Sequence, residues 1–480
     1  MTSSKTTNKP KLELRKFQLT GVAFLLNRIK KQGIGSGSLI TDAVGLGKTI
    51  QVLTACHLAK LGTTCIVTKA GLKINFDREV KKWFSQYKTY IVDDWTSLQE
   101  IAKARNADFV IINYERLTTR PSKHNPNPKN WWEVILKYIQ PAIIVADEAH
   151  KLKNSKISRH KAIRKLSEKA YHTILMMATP LYNNVEDLFG LLNLVDPTHF
   201  RNYRAYQNRF CRYSKGKFKT FLGDKNLRQL NKLITPLMIG RTKAEVIDEL
   251  PKINKIPLIL DIDNRAEYNR FLQETRVYND TRAEGEAYKS GYMEALTIIG
   301  EGKLSPIIDW LKNWLEETDY KEKMVVASEN VLLSQKLHET FKQESVMIIG
   351  STANSKRMPY VDRFNEDDGC RFIFGNIESM GAGLNLDQKC NNLLVTQIPQ
   401  SPGKFTQILG RIDRISSPYD CMNMWICYAP DTKEESKYKS FDKKAVDNTL
   451  AITGKIAHKD ELLSTVLLSE LADNGKFALE

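Results

Sequence analysis

No stretch of this 480-residue chain approaches the ~20 consecutive apolar residues of a bilayer-spanning helix, so no membrane partner is expected. The N-terminus, MTSSKTTNKPK, lacks the apolar core of a secretory signal. Seven cysteines (56, 65, 211, 370, 390, 421 and 427) are scattered, with no CxxC pair and no histidine at metal spacing. That odd, unclustered set argues against a zinc module and for reduced thiols in the cytoplasm, most of them filling core space. Low-complexity linkers are also missing. Acidic residues are scarce: 55 Asp and Glu face 72 Lys and Arg, a net charge of +17. This balance suits a polyanion, usually nucleic acid, although a generic basic protein would share it.

What is present reads as a globular protein. The hydrophobic fraction of 42% is ordinary, and ~150 residues per domain predicts two or three domains. Two short segments carry the chemistry, DAVGLGKT at 42–49 and DEAHKLKN at 147–154. Each follows an apolar strand pattern, GSLIT and PAIIVA. A Gly-Lys-Thr turn after a strand can hold a nucleoside triphosphate. The backbone N–H groups around Gly45, Leu46 and Gly47 close on the phosphates, Lys48 reaches the β and γ oxygens, and the Thr49 hydroxyl ligates Mg²⁺. Asp147 can hold the same ion, and Glu148 can orient and deprotonate an attacking water. Asp42 stands where the full phosphate-loop pattern has glycine, so the first segment alone also reads as an ordinary turn. Asp-Glu-Ala-His alone reads as a helix start with acids suited to its dipole. Together, in this order, they predict a nucleotide hydrolase.

Strand and helix patterns alternate along the chain, which predicts an α/β fold with parallel sheets covered on both faces. Strands are expected at 38–41, 64–68, 108–112, 142–146 and 173–177, completing one lobe by about 195–200. A second series follows, at 323–328, 345–349, 371–375, 392–396 and 422–428. Between them, 201–245 holds a dozen Lys and Arg against two acids, interleaved with Tyr203, Tyr206, Phe210, Tyr213, Phe218 and Phe221. Two readings stand: a basic, aromatic nucleic-acid surface, or a helical insertion with core aromatics and solvated charges. The expected division is 1–200, insertions at 201–300, a second lobe at 301–435 and a helical extension at 436–480.

Two tandem α/β lobes, only the first with GKT and DEAH, resemble superfamily 2 helicase-like ATPases, and most closely their Swi/Snf-type branch of DNA translocases. The likeness is carried by LRKFQLTGVAFLL (14–26), IVTKAGLKINFDREVKKW (66–83), FVIINYERL (109–117) and MATPLYNNVEDLFGLLNLV (177–195). PLMIGRTKAEVIDELP (236–251), GNIESMGAGLNL (375–386) and QILGRIDRI (407–415) complete it. The branch usually has Glu and Met where this chain has Ala43 and Val44, Arg where Glu378 stands, and often Asp at Gly410. RFCRYSKGKF at 209–218 faintly resembles the part of the branch that includes annealing helicases.

The resemblance implies two RecA-like lobes with helical insertions, using ATP and Mg²⁺. It implies nucleotide contacts from Arg15, Gln18, Asp42 and Gly383 beside the loop, with Gln18 reading adenine through its amide. Arg411 and Arg414 lie one helical turn apart with Gln407 and Gly410 in register, and across a cleft they would stabilise γ-phosphoryl charge. Thr179 and Pro180 resemble the segment that couples phosphate state to lobe movement. Lys69, Asn113, Tyr114, Ser328, Gly350 and Ser379 are the implied contacts to DNA, duplex or branched and bound without regard to sequence. Alternatives are an RNA helicase of the DEAH type, or a nucleotide-dependent scaffold without hydrolysis. With no targeting module in view the chain reads as a nearly bare motor, viral or bacterial, compatible with a monomer though its oligomeric state stays open, cytoplasmic in its cell or host, with a nuclear location still open.

Overall fold

The computed structural model describes residues 13–31, 33–93, 96–118, 130–178, 185–214, 221–242, 245–246, 252–279, 286–380, 384, 386, 388–399, 401–412 and 417–453. Its strands are β1 (Ser36–Ile40), β2 (Thr64–Thr68), β3 (Thr89–Ile91), β4 (Phe109–Asn113), β5 (Ile143–Ala146) and β6 (His172–Met176). Then come β7 (Cys211–Tyr213), β8 (Phe221–Asp224), β9 (Met238–Ile239), β10 (Lys252–Ile259) and β11 (Met324–Ser328). The last are β12 (Ser345–Ile348), β13 (Phe372–Asn376), β14 (Asn392–Val395) and β15 (Cys421–Tyr428). Two parallel sheets result, ordered β3-β4-β2-β5-β6-β1-β9 and β10-β15-β14-β11-β13-β12, plus an antiparallel hairpin of β7 and β8.

Burial explains why the parallel form is stable. Strands β2, β4, β5 and β6 are buried at every residue, and so are β11 and β14. Such strands need cover on both faces. Alternate residues accordingly feed two different cores. Cys65, Val110, Ile112 and Ile144 enter one cluster, while Ile66, Phe109, Ile111 and Val145 enter the other. The second lobe repeats this with Val325, Ile373 and Leu393 on one face and Val326, Phe372 and Leu394 on the opposite one.

The middle of the chain is shared between the lobes. Strand β9 adds to the first sheet beside β1, and β10 joins the second beside β15. The aromatics of 201–245 are core: Tyr206 and Phe210 are buried in the first lobe, with Tyr203, Tyr213 and Phe221 packed against it. Arg204, Arg209 and Arg212 are exposed, and Arg209 lies 5.2 Å over the Phe210 ring. Phe218, Lys215 and Lys217 lie outside the described residues. Two helices, Arg265–Asn279 and Glu286–Gly302, follow with a small core of their own around Tyr268, Leu296 and Ile299.

The helix Glu434–Thr453 crosses between lobes. Its Tyr438 and Phe441 belong to the second core, whereas Leu450 and Ala451 pack on the first. Asn231 Nδ2 donates to the Ala451 carbonyl at 3.2 Å, fixing the far end. Among the described residues no helix is long and apolar enough to cross a membrane.

Candidate active site

Strand β1 ends in a loop, residues 41–47, that turns into the helix Lys48–Ala59. Gly45 and Gly47 have φ of 91° and 75°, a conformation that costs other residues strain. Gly47 stands at the helix start with no side-chain cap, which leaves the first N–H groups of the helix to an anion. The Lys48 ammonium folds back on the loop and donates to the carbonyls of Asp42 (2.6 Å) and Ala43 (3.2 Å). Burial pushes Lys48 down to about 8, against the pull of Asp42, Glu148 and Asp147, and Arg411 adds to the drop.

Asp42 enters the site through its backbone. Its carboxylate is fully buried and accepts from Arg241 Nε (2.9 Å), Arg241 Nη2 (2.5 Å) and Gln51 Nε2 (2.9 Å). The Asp42 carboxylate is committed to bracing the loop, which leaves its backbone as the part of this expected nucleotide contact that faces the phosphate site. Arg241, just after β9, also donates to the Phe17 carbonyl and to Gln51 Oε1. The motif residues alone did not reveal it. A buried carboxylate at 42, which needs a cationic partner, was the available signal.

Gln18 lies on the helix Lys16–Lys31 and donates from Nε2 to the Leu46 carbonyl at 3.2 Å. Arg15 N–H donates to its Oε1 at 2.9 Å, and a Cβ at Gly47 would come within 2.5 Å of Nε2. The amide thus sits against the phosphate loop, with both its ends held by backbone groups. The Arg15 side chain is exposed.

Strand β5 delivers the two acids. Asp147 Oδ2 accepts from the Thr68 hydroxyl at 2.9 Å, tying it to the end of β2. Burial, then the neighbouring Glu148, raise Asp147 above the usual carboxylate range. Burial alone would raise Glu148 as well. His150, Lys69 and Arg411 outweigh it and hold Glu148 below that range. Glu148 is left-handed at φ 49°, and His150 Nδ1 lies 3.2 Å from its Oε2. Thr49, half-buried at the helix start, offers a hydroxyl, and Asp147 offers a carboxylate.

The second lobe supplies the far wall. Arg411 and Gln407, on the helix Pro402–Ile412, are buried at the cleft. The preceding residue, Gly410, abuts Val44 of the phosphate loop, and Arg411 lies near enough to lower both Lys48 and Glu148, so the arginine approaches the lysine and the acid from the other lobe. Gln407 Nε2 is buried without a protein partner. Its side chain shares a 590 Å³ cavity with His150, Lys69, Lys151, Lys153, Arg159, Glu378 and Lys404. Gly383, Arg414, Thr179 and Pro180 lie outside the described residues.

The expected DNA contacts divide. Lys69 lines this cavity and a second of 230 Å³ with Glu115, Lys151, Arg357 and Leu384. Gly350 is exposed, 4.0 Å by its would-be Cβ from Ser379 Oγ. Tyr114 is 1% exposed and its hydroxyl donates to the Asp147 carbonyl at 2.6 Å, so its side chain braces the acid loop. The Ser328 hydroxyl is buried likewise, and its Oγ accepts from Asn330 N–H at 3.0 Å. Asn113 and Ser379 are nearly buried, and Asn113 donates to Glu115 at 3.1 Å.

The chain is similar to several known proteins. The DNA annealing helicase and endonuclease ZRANB3 of Mus musculus is 24% identical over 476 residues, 95% of this chain and 42% of that protein. A Caenorhabditis elegans homolog of SWI/SNF-related matrix-associated actin-dependent regulator of chromatin subfamily A-like protein 1 is 27% identical over 411 residues. That match covers 83% of this chain and 56% of the relative, so the chain spans about half the length of such relatives. The SWI2/SNF2 ATPase core of Sulfolobus solfataricus, solved with dsDNA, aligns over 97% of this chain and 96% of that one, at 18% identity and a TM-score of 0.43. The SNF2-related domain model matches residues 17–303. The chain belongs to the SNF2-related domain family.

Proposed function

We propose that the chain hydrolyses ATP at the interlobe cleft and uses the cycle to move along duplex or branched DNA. The observation that carries this is the convergence of Lys48, Glu148 and Arg411 from two lobes on one uncapped helix start. Lys48 and the loop N–H groups hold the β and γ phosphates. Glu148 takes a proton from water as its oxygen attacks the γ-phosphorus, and the bond to the ADP oxygen breaks. Arg411 meets the charge that grows on the transferring group. The Thr49 and Asp147 donor set suits Mg²⁺, which keeps several waters and needs few protein ligands. When bound, that ion neutralises phosphate oxygens.

Because Arg411 and the phosphate loop lie on different lobes, a γ-phosphate draws the lobes together and its loss releases them. DNA as the track is supported by the +17 charge, by the lysines and arginine of the 590 Å³ cavity, and by the relative named as a DNA annealing helicase. Backbone-phosphate contacts would make binding indifferent to sequence. The test is ATP turnover with duplex, forked and single-stranded DNA and with RNA, in wild type and Glu148→Gln. Duplex or forked DNA should stimulate most, and Glu148→Gln should keep ATP bound and stop turnover. Stimulation by RNA alone would favour a DEAH-type RNA helicase. DNA affinity should fall ~10³–10⁵-fold over a fourfold rise in salt if 6–10 phosphates are contacted.

A further inference from the structure

Gly410 sits near the end of the arginine helix in ordinary helical backbone, so no special φ calls for glycine there. Glycine inside a helix is disfavoured relative to alanine, which asks for a compensating reason. The structure supplies one across the cleft. A Cβ at 410 would lie 2.4 Å from Val44 Cβ, 2.7 Å from Cγ1 and 3.0 Å from Cγ2. Val44 belongs to the phosphate loop, and its Cβ is fixed by the backbone, so it cannot swing aside like the tip of a long side chain. The second lobe therefore seats its bare helix backbone directly on the loop that is to hold the phosphates. The next residue is Arg411, whose carbonyl accepts from Leu386 N–H at 3.4 Å.

We infer that the Val44–Gly410 contact is a closure stop that sets how far Arg411 reaches toward the γ-phosphate. These are two of the positions at which the chain departs from the usual residues of its branch, and the fold brings them together. Gly410 is a positioning residue on this reading, acting through Arg411, and the inference rests on the ATPase function proposed above. Any side chain at 410 holds the lobes apart at this point by a fraction of the clash. Displacing a catalytic group by ~1 Å is enough to cost on the order of 10²-fold in rate. Ground-state binding to the first lobe does not involve the contact.

The experiment is a cycle of Gly410→Ala, Val44→Gly and the double variant. Gly410→Ala should lower maximal ATP turnover ~30-fold or more while the Kd for ADP, read by calorimetry, moves less than about threefold. Its thermal midpoint should hold or rise, since alanine favours the helix, which separates the effect from misfolding. Val44→Gly removes all three clashing carbons, so the double variant should regain the turnover of Val44→Gly alone. Unchanged turnover in Gly410→Ala, or a loss that Val44→Gly leaves in place, would overturn the inference. A dye on each lobe reads closure by energy transfer on adding a non-hydrolysable ATP analogue. Closure weakened in Gly410→Ala and regained in the double variant supports the contact even in a chain that hydrolyses nothing. A wild type without turnover would sink the enzymatic reading separately.

Discussion

In both lobes a buried parallel strand runs into a helix at the cleft, and the two junctions are built to opposite ends. In the first, β1 leads through residues 41–47 to a helix whose start, at Gly47, has no side-chain cap. In the second, β11 is followed only by Glu329 and Asn330 before the helix Val331–Thr340 begins. There Asn330 Oδ1 accepts from Leu332 N–H (2.9 Å) and Leu333 N–H (3.3 Å). An anion needs just those donors. A side chain that satisfies them internally closes the junction to phosphate, whereas glycines in positive φ leave it open. On the function proposed above, one lobe binds nucleotide and the other contributes an arginine to it.

The sharpest way to break this division of labour is to remove the second lobe's contribution while leaving the first intact. Arg411→Ala should lower ATP turnover ~10³-fold or more, the range seen when a transition-state arginine is lost, with nucleotide affinity within a few-fold. Lys48→Ala should abolish binding itself. Affinity by calorimetry and turnover under saturating ATP separate the two. Equal losses of affinity in both variants would show that Arg411 is a ground-state ligand and that the lobes do not divide the work.

The first junction also depends on a buried brace. Asp42 is wholly buried and paired with Arg241, so Arg241→Ala would leave a buried charge alone, at a cost of about 3–5 kcal/mol. Urea unfolding should show this loss in the first lobe, and Arg241→Lys should recover little, since one ammonium cannot reproduce the paired contacts. Loss of phosphate binding should accompany it. A change under about 1 kcal/mol would mean that Gln51 and the backbone suffice to hold the loop.

These residues also mark where the sequence was legible. Strands such as β2 and β4 read clearly because full burial demands unbroken apolar runs. Strands β3, β9 and β10 did not. Two are very short, and β10 carries Lys252, Lys255 and Pro257, tolerable on the edge that it occupies. The loop glycines, Lys48 and the two acids could be read because their chemistry is local. Arg241 could not, since its partner lies 199 residues away and only the fold joins them. Tyr114 and Ser328 sit at strand ends beside the cleft, where spacing says nothing about whether a side chain turns to solvent or core.

Acid offers a graded version of the same comparison. His172, in β6, holds both ring nitrogens against Ser36 (3.0 Å) and Ser38 (3.1 Å) of β1, and burial pushes it from 6.5 down to about 3. A base depressed on folding stays neutral while the unfolded chain protonates. Its contribution is therefore complete above pH 6.5 and is lost as pH falls toward 3, with a slope of up to ~1.4 kcal/mol per pH unit. The second lobe's His338 is only half-buried, bonded to Ser345 Oγ at 2.7 Å, and its lowering has less burial behind it. Hydrogen exchange between pH 6.5 and 4 should open the first sheet before the second, and His172→Gln should flatten the first lobe's slope. Equal opening of both sheets would remove His172 as the cause.

The smallest expected effect tests the closed junction itself. Asn330→Ala removes the cap on the second lobe's helix and should cost ~1 kcal/mol, read as a lower urea midpoint with an unchanged slope. It also frees the N–H groups of Leu332 and Leu333, the feature that distinguishes the first junction. If free donors were enough, ATP would now bind at two sites, and calorimetry on Asn330→Ala would show a second, weaker event. The geometry predicts one site still. The second junction has no glycine turn to wrap a phosphate chain and no lysine in the position of Lys48. A second binding event would mean that the asparagine cap alone keeps nucleotide out of the second lobe.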